Sequence, residues 1–209
     1  MRLESVADLR TVYRPPGRGA VDKVIDHIDA HCADFLAMAP FFVLSTAASD
    51  GTCDVSPKGG PPGFVEALDD RRLAWADYSG NNRLDSLENV AGNDHVAILV
   101  FIPGMDETLR VNGRAELTTD SELCARFEMN EKPARVVVVV TVQEAYIHCA
   151  KALRRGAMWS PESWPADDEL PSAACILKDH AAVDVDPAVI ESALEREYDA
   201  TLWEPGGGD

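Results

Sequence analysis

The sequence predicts a mainly β, antiparallel fold with helices flanking the sheet. Three stretches carry that expectation. Phe41 to Lys58 reads as a hairpin: the apolar run Phe41-Phe42-Val43-Leu44 turns at Asp50-Gly51 and returns through Thr52 to Ser56. Glycine tolerates the positive φ that tight hairpin turns need. Thr108 to Leu117 alternates Leu109, Val111 and Ala115 with Arg110, Asn112 and Arg114, the period-2 signature of a half-buried strand with both arginines on one face. Val136 to Val142 is an unbroken β-branched run, valine at every position but Thr141, with no alternation. A strand with no polar side must be covered on both faces, by a packed helix or by a second subunit.

Taken in order, residues 1–19 are mixed and end in the breaker Arg14-Pro15-Pro16-Gly17, an arm laid on the main body. From Ala20 to Met38, Val21, Val24, Ile25, Ile28, Cys32, Phe35 and Leu36 recur at spacings of three and four, which predicts one amphipathic helix. It would carry His27 and His31 at i and i+4, but without a third ligand or a general-base Glu these read as surface histidines, and no metal site is expected. The hairpin's return strand is expected to stop at Pro57, which cannot donate to a ladder. Lys58, Gly59 and Gly60 follow, a single cation beside backbone that a ligand can approach closely.

Phe64 to Leu68 and Arg72 to Ala76 form a second hairpin. Beyond it, Leu84, Leu87 and Val90 take up helical spacing, so Ser79 to Asn82 leads into a helix. The unpaired N–H groups of such a helix start, beside Asn82, Arg83 and Ser86, suit a phosphate. His95 to Ile102 is a strand, and a short helix from Ser121 to Met129 follows Asp120 as its cap. The valine strand runs on through His148 and Cys149 into Lys151, Arg154 and Arg155, then Trp159 and Trp164. Residues 165–185 are acidic and loop-like. Asp186-Pro187 caps a last helix to Trp203, with Val189, Ile190, Ala193, Leu194 and Tyr198 as its buried stripe, and the Gly206-Gly207-Gly208 tail is expected to be disordered.

The formal charge is −17. After Arg155 the only basic residues are Lys178 and Arg196, against thirteen Asp and Glu. Such a surface repels phosphate backbones and anionic lipids, which argues against nucleic-acid or membrane-surface binding. The basic residues Lys58, Arg83, Arg110, Arg114, Lys151, Arg154 and Arg155 are expected to form a central island for a small anion. Five widely spaced cysteines without a Cys-x-x-Cys read as reduced thiols. With no charged-then-apolar leader and no spanning run, a cytoplasmic protein is expected.

Four motifs in this order and spacing resemble the pyridoxamine 5′-phosphate oxidase-like FMN-binding split-barrel flavoproteins, nearest a bacterial FMN-dependent subgroup of uncertain substrate. They are the hairpin ending Ser56-Pro57-Lys58-Gly59, Tyr78-Ser79-Gly80-Asn81-Asn82-Arg83, Leu109 to Ala115, and His148 to Ala152 followed by Arg154 and Trp159. The resemblance implies a six-stranded antiparallel Greek-key split barrel over residues 41–164. Residues 1–40 would be an arm and helix packed on it, and 165–209 an acidic extension with a helix, all within a single domain.

It further implies a homodimer with FMN at the interface. Lys58 and Arg83 would pair with the FMN phosphate, helped by Asn82 and Ser86, and Ser56 would reach the ribityl chain. Tyr78 belongs to the same cofactor-binding set, and Lys151 and Trp159 would approach from the partner. The authentic vitamin oxidases carry an arginine where this chain has Cys53, a basic residue at Asn82 and an arginine-rich C-terminal motif that is missing here. The expectation is therefore an FMN-dependent oxidoreductase acting on an unidentified small molecule. The alternatives are a deazaflavin-dependent reductase, or a non-catalytic flavin- or haem-binding protein using His27, His31, His95 or His148.

Overall fold

A computed structural model describes residues 2–206. Its strands are β1 (Phe41–Ala47), β2 (Cys53–Gly59), β3 (Glu66–Ala67), β4 (Arg72–Ala76), β5 (His95–Phe101), β6 (Thr108–Thr118) and β7 (Val137–His148). They form one antiparallel sheet in the order β2-β1-β5-β6-β7-β4-β3. Six strands are long, as expected. The seventh, β3, is the two-residue arm of the second hairpin, and among the described residues no ladder joins β2 to β3, so the sheet is not a closed six-stranded barrel.

The sheet nevertheless coils. β1 and β4 are four strand steps apart, about 19 Å in a flat sheet. Yet Phe42 on β1 meets Trp75 on β4 edge-on with ring centroids 5.0 Å apart, and Phe64 stacks on Phe42 at 5.6 Å. The inside of the coil is the main core: Phe42 and Leu44 from β1, Ile98 and Val100 from β5, Val111 from β6, Val138 and Val140 from β7, Leu73 and Trp75 from β4. Helix α3 (Ala30–Met38) adds Cys32, Phe35 and Leu36 to it. The other face of the valine strand, Val137 and Val139, packs with Ala74, Ala76, Cys124, Phe127 and Ala134. The cover required on that side therefore comes from within the chain, from α5 (Ser121–Arg126) and the segment after it.

Several elements depart from the sequence reading. The Ala20–Met38 helix is broken. Short helices α1 (Val6–Val12) and α2 (Arg18–Asp22) are followed by Ile25, which exchanges backbone hydrogen bonds with Ala145, and α3 starts afresh where Asp29 accepts from the Cys32 amide at 2.8 Å. His27 thus precedes α3, and the i, i+4 pair with His31 is not formed. β2 does not stop at Pro57, because it is an edge strand and the missing N–H faces no neighbour. Helix α4 (Asp85–Gly92) begins later than the spacing suggests, at Asp85, because Leu84 before it has a φ of 60° that breaks the helical path.

Helix α6 (Lys151–Arg155) is short. The acidic stretch contains α7 (Ala173–Ala181), which pairs with α8 (Pro187–Thr201). The expected stripe on α8 is not buried: Val189 is 56% and Tyr198 52% exposed, because α8 lies against α7 and away from the sheet. Gly206 is ordered in a backbone pairing described below, and Gly207 and Gly208 lie outside the described residues.

Replacing Trp75 with Ala should cost about 3–5 kcal/mol of stability, since it is fully buried where the two ends of the coil meet. Trp75→Phe should cost less, because its buried indole N–H has no acceptor to lose. Val139→Ala and Val140→Ala should each cost about 2 kcal/mol, with similar values because both faces are covered. Urea unfolding of the four variants checks this.

Candidate functional site

The coil brings the end of edge strand β2 against the residues that follow β4. On β2 the half-buried residues are Asp54, Ser56 and Lys58, and the exposed ones Cys53, Val55 and Pro57. Lys58 therefore projects from the same face as Ser56 and reaches across the opening of the sheet. Its Nζ lies 3.7 Å from Asp77 Oδ1, with the side chains 24% and 13% exposed. Burial pushes the Asp77 carboxyl above the ordinary carboxylate range, and the Lys58 charge only partly offsets it. Burial likewise raises the Tyr78 phenol.

From Tyr78 the chain runs to α4 through a tight loop in which Asn82 (φ 54°) and Leu84 (φ 60°) are both left-handed, flanking Arg83. Asparagine accepts this conformation readily and leucine does not, so the loop stores strain where the guanidinium is presented. The Arg83 amide donates to Asn81 Oδ1 at 3.0 Å, and its Nε contacts Asp85 Oδ2 at 2.9 Å. Leu84 offers no side-chain cap, and among the described residues no side-chain hydrogen bond to the first amides of α4 is made. Ser86, in the first turn, is buried. The helix is fixed by Asn89, whose Nδ2 donates to Asp54 Oδ2 at 2.7 Å and to Thr46 Oγ1 at 3.0 Å.

These parts enclose a cavity of about 260 Å³ between β2, Asp77-Tyr78 and the Gly80–Leu87 segment. The structure thus gathers Ser56, Lys58, Tyr78, Asn82, Arg83 and Ser86 around one space. Two cations and a bare helix start suit an anionic oxyacid. Three carboxylates share the wall: Asp54 on Asn89, Asp85 on Arg83, and Asp77 on Lys58.

A second chamber of about 600 Å³ continues from the first past Gly59, Gly60, Phe64 and Trp75 to Leu202 and Trp203. Gly60 is needed there, since a Cβ would come within 2.7 Å of the Phe64 ring. Its far wall comes from the C-terminal segment, which sequence reasoning missed. After α8 the chain returns to the site: the Ser79 amide donates to Glu204 O at 2.8 Å and the Gly206 amide to Asp77 O at 2.9 Å. Lys132 holds Glu204 from the side at 2.5 Å. Gly206 lies so close that a Cβ on it would overlap Asp77 Oδ2. Trp203 itself was the available signal, a large aromatic ring just past a helix that lines the chamber while staying 45% exposed.

The remaining candidates lie elsewhere in the chain. Lys151 starts α6, and Trp159 donates its indole N–H to Met105 O at 2.8 Å beside Asp106 and Arg154, away from both cavities. The expected cationic island is dispersed, because separate partners hold its members: Arg114 pairs with Asp94, Arg154 with Asp106, and Arg110 lies 5.7 Å from the Tyr146 ring centre. His27 contacts Asp26, His95 contacts Arg114 and His148 stacks on Tyr146, while His31 lines a separate apolar cleft of about 220 Å³. None of these four histidines lines either cavity.

A family model described as pyridoxamine 5′-phosphate oxidase matches residues 28–149, more than half of the chain. The chain belongs to this family. The matched segment contains the whole cation-bearing wall, while Lys151, Trp159 and the C-terminal segment lie beyond it. A search of curated protein sequences gave no match. Among solved structures, HupZ from Group A Streptococcus is 16% identical with a TM-score of 0.47, covering 58% of this chain and 99% of its own. A putative pyridoxamine 5′-phosphate oxidase from Lactobacillus delbrueckii is 21% identical (TM-score 0.47; 58% and 95% covered). An FMN-binding protein from Syntrophomonas wolfei is 12% identical (TM-score 0.43; 56% and 87%). The family assignment rests on the sequence match.

Asn89→Ala removes the one side chain that ties α4 to both Thr46 and Asp54, and leaves Asp54 without that donor. It should lower stability by about 1–3 kcal/mol in urea unfolding.

Proposed function

We propose that the protein is an FMN-dependent oxidoreductase acting on a small molecule. The observation that carries this reading is the joined pair of cavities: a compact anion pocket at Lys58, Arg83 and the start of α4, opening directly into a larger chamber walled by Phe64, Trp75, Tyr78 and Trp203. A phosphate with a chain leading to a flat ring system has this division of chemistry. Lys58, Arg83, Asn82 and Ser86 would hold the phosphate, Arg83 exchanging its Asp85 contact for it, and Ser56 would meet the ribityl hydroxyls from β2.

The flavin, when bound, supplies the hydride chemistry, so the chain's own task is binding, orientation and exclusion of water. The coil of the sheet sets the distance between the β2 side chains and the α4 start, and Phe64, Trp75 and Tyr78 would shield a bound ring from water. In the proposed homodimer the partner subunit's Lys151 and the partner subunit's Trp159 complete the site, consistent with their position away from the pocket of their own chain. Cys53 on the outer face of β2, together with the C-terminal segment lying over the chamber, favours a substrate other than pyridoxamine phosphate.

The purified protein should be yellow, or become so with FMN, and should quench FMN fluorescence on binding. Lys58→Ala and Arg83→Ala should each weaken FMN about 10- to 100-fold, the worth of a charge-assisted hydrogen bond. A protein that stays colourless with FMN refutes the reading, and tighter binding of a deazaflavin in parallel titrations replaces FMN as the cofactor.

A further inference from the structure

We propose that Asp77 is the counter-ion an incoming anion displaces: it neutralises Lys58 in the empty pocket, and when an anionic group takes Lys58 the Asp77 carboxyl accepts a proton from solvent. Anion binding and proton uptake are then one event. The inference rests on the flavin phosphate reading only for the identity of the anion.

The geometry requires some such adjustment. Among the described residues Asp77 and Lys58 are each other's only ion-pair partner, 3.7 Å apart, in a wall where both side chains are mostly enclosed. The other two carboxylates of the wall keep their partners when an anion enters between Lys58 and α4, or are replaced at the exposed Arg83: Asp54 stays on Asn89, and Asp85 faces solvent beside Arg83. The C-terminal segment restricts Asp77 on its outer side, with the Gly206 amide on its carbonyl and so little room beside Oδ2 that a Cβ at Gly206 would overlap it. A carboxylate held there without Lys58 would face a bound dianion at close range. Like charges in a poorly solvated space favour the neutral form of one of them.

Among the described residues Lys58 is the cation whose charge acts on Asp77. β2 presents Lys58, and the loop and α4 present Arg83 and Asp85, which pair together. The adjoining Tyr78 phenol is itself held neutral by burial. From the C-terminal side Glu204 is taken by Lys132, with the Arg135 charge also acting on it. The Asp77 amide donates to Val136 O and offers the carboxyl nothing. Burial already raises the Asp77 carboxyl with Lys58 in place, so losing Lys58 moves it further in the same direction.

The sign follows from linkage. A ligand that raises a carboxyl's pKa binds more tightly as pH falls, by at most about tenfold per pH unit for one coupled proton. Calorimetric titration with FMN, in buffers of different ionisation enthalpy, counts protons taken up. The wild-type protein should take up more protons than Asp77→Asn, the flavin phosphate's own ionisation being common to both. Asp77→Asn should also bind FMN more tightly at mildly alkaline pH, because nothing competes for Lys58. Equal uptake by the two proteins overturns the proposal, as does weaker binding by Asp77→Asn with an unchanged pH profile.

A second measurement needs no flavin. Carbon-13 titration of the Asp77 carboxyl in the ligand-free protein should move to higher pH in Lys58→Met, and an unchanged curve overturns the counter-ion relation. Should that shift appear in a protein that does not bind FMN, the counter-ion role stands and the flavin reading falls.

Discussion

The contact between Phe42 and Trp75 holds the rest of the structure to its shape. Two rings from strands four steps apart in the ladder meet only because the sheet coils, and the coil in turn requires a core that fills its inside. Once that contact is made, β2 and the residues after β4 face each other across the opening. Lys58 and Asp77 are neighbours for no local reason; their strands share no hydrogen bond. The site is thus a product of core packing, and a change in the core is felt at the pocket even when it touches no pocket residue.

Arg83 is presented differently. Its position depends on a short loop with two left-handed residues and on Asn89, which anchors the following helix to the hairpin. The two cations of the pocket therefore sit on separately supported walls, one set by the coil and one by a local clamp. This division explains how an acidic protein keeps two cations in one pocket, beside three carboxylates. The carboxylates of the wall are each spoken for by a specific partner, so the pocket's response to an anion depends on which partnership gives way.

Much of the sheet was legible because its signals are local. Asp50-Gly51 turns the first hairpin with Gly51 at φ 91°, Asp120 and Asp186 cap the helices they precede, and the unbroken valines called for cover on both faces. Where the reading failed, a distant partner decided. Ile25 was placed in a helix by its spacing, but Ala145 takes its backbone instead. Pro57 ends a strand in a sheet interior and not at an edge, and its edge position is a fact of topology. The stripe on α8 had the right period without a surface to bury it. The six pocket residues were legible through their motifs, whereas the Glu204 to Gly206 pairing had none, because a backbone bridge places few demands on side chains.

The strand order also fixes when the pocket can exist during folding. β4 is held by β7, with Arg72 opposite Thr141, while β1 and β2 pair at once through a tight turn. The hairpin bearing Lys58 can form early from local contacts, but the wall bearing Asp77 must wait for a strand far along the chain and for the Glu204 to Gly206 segment to return. Such non-local pairings are slow, because the loop between them must be ordered first. The pocket is accordingly completed late in folding, and its hairpin cation can be in place before the carboxylate that answers it.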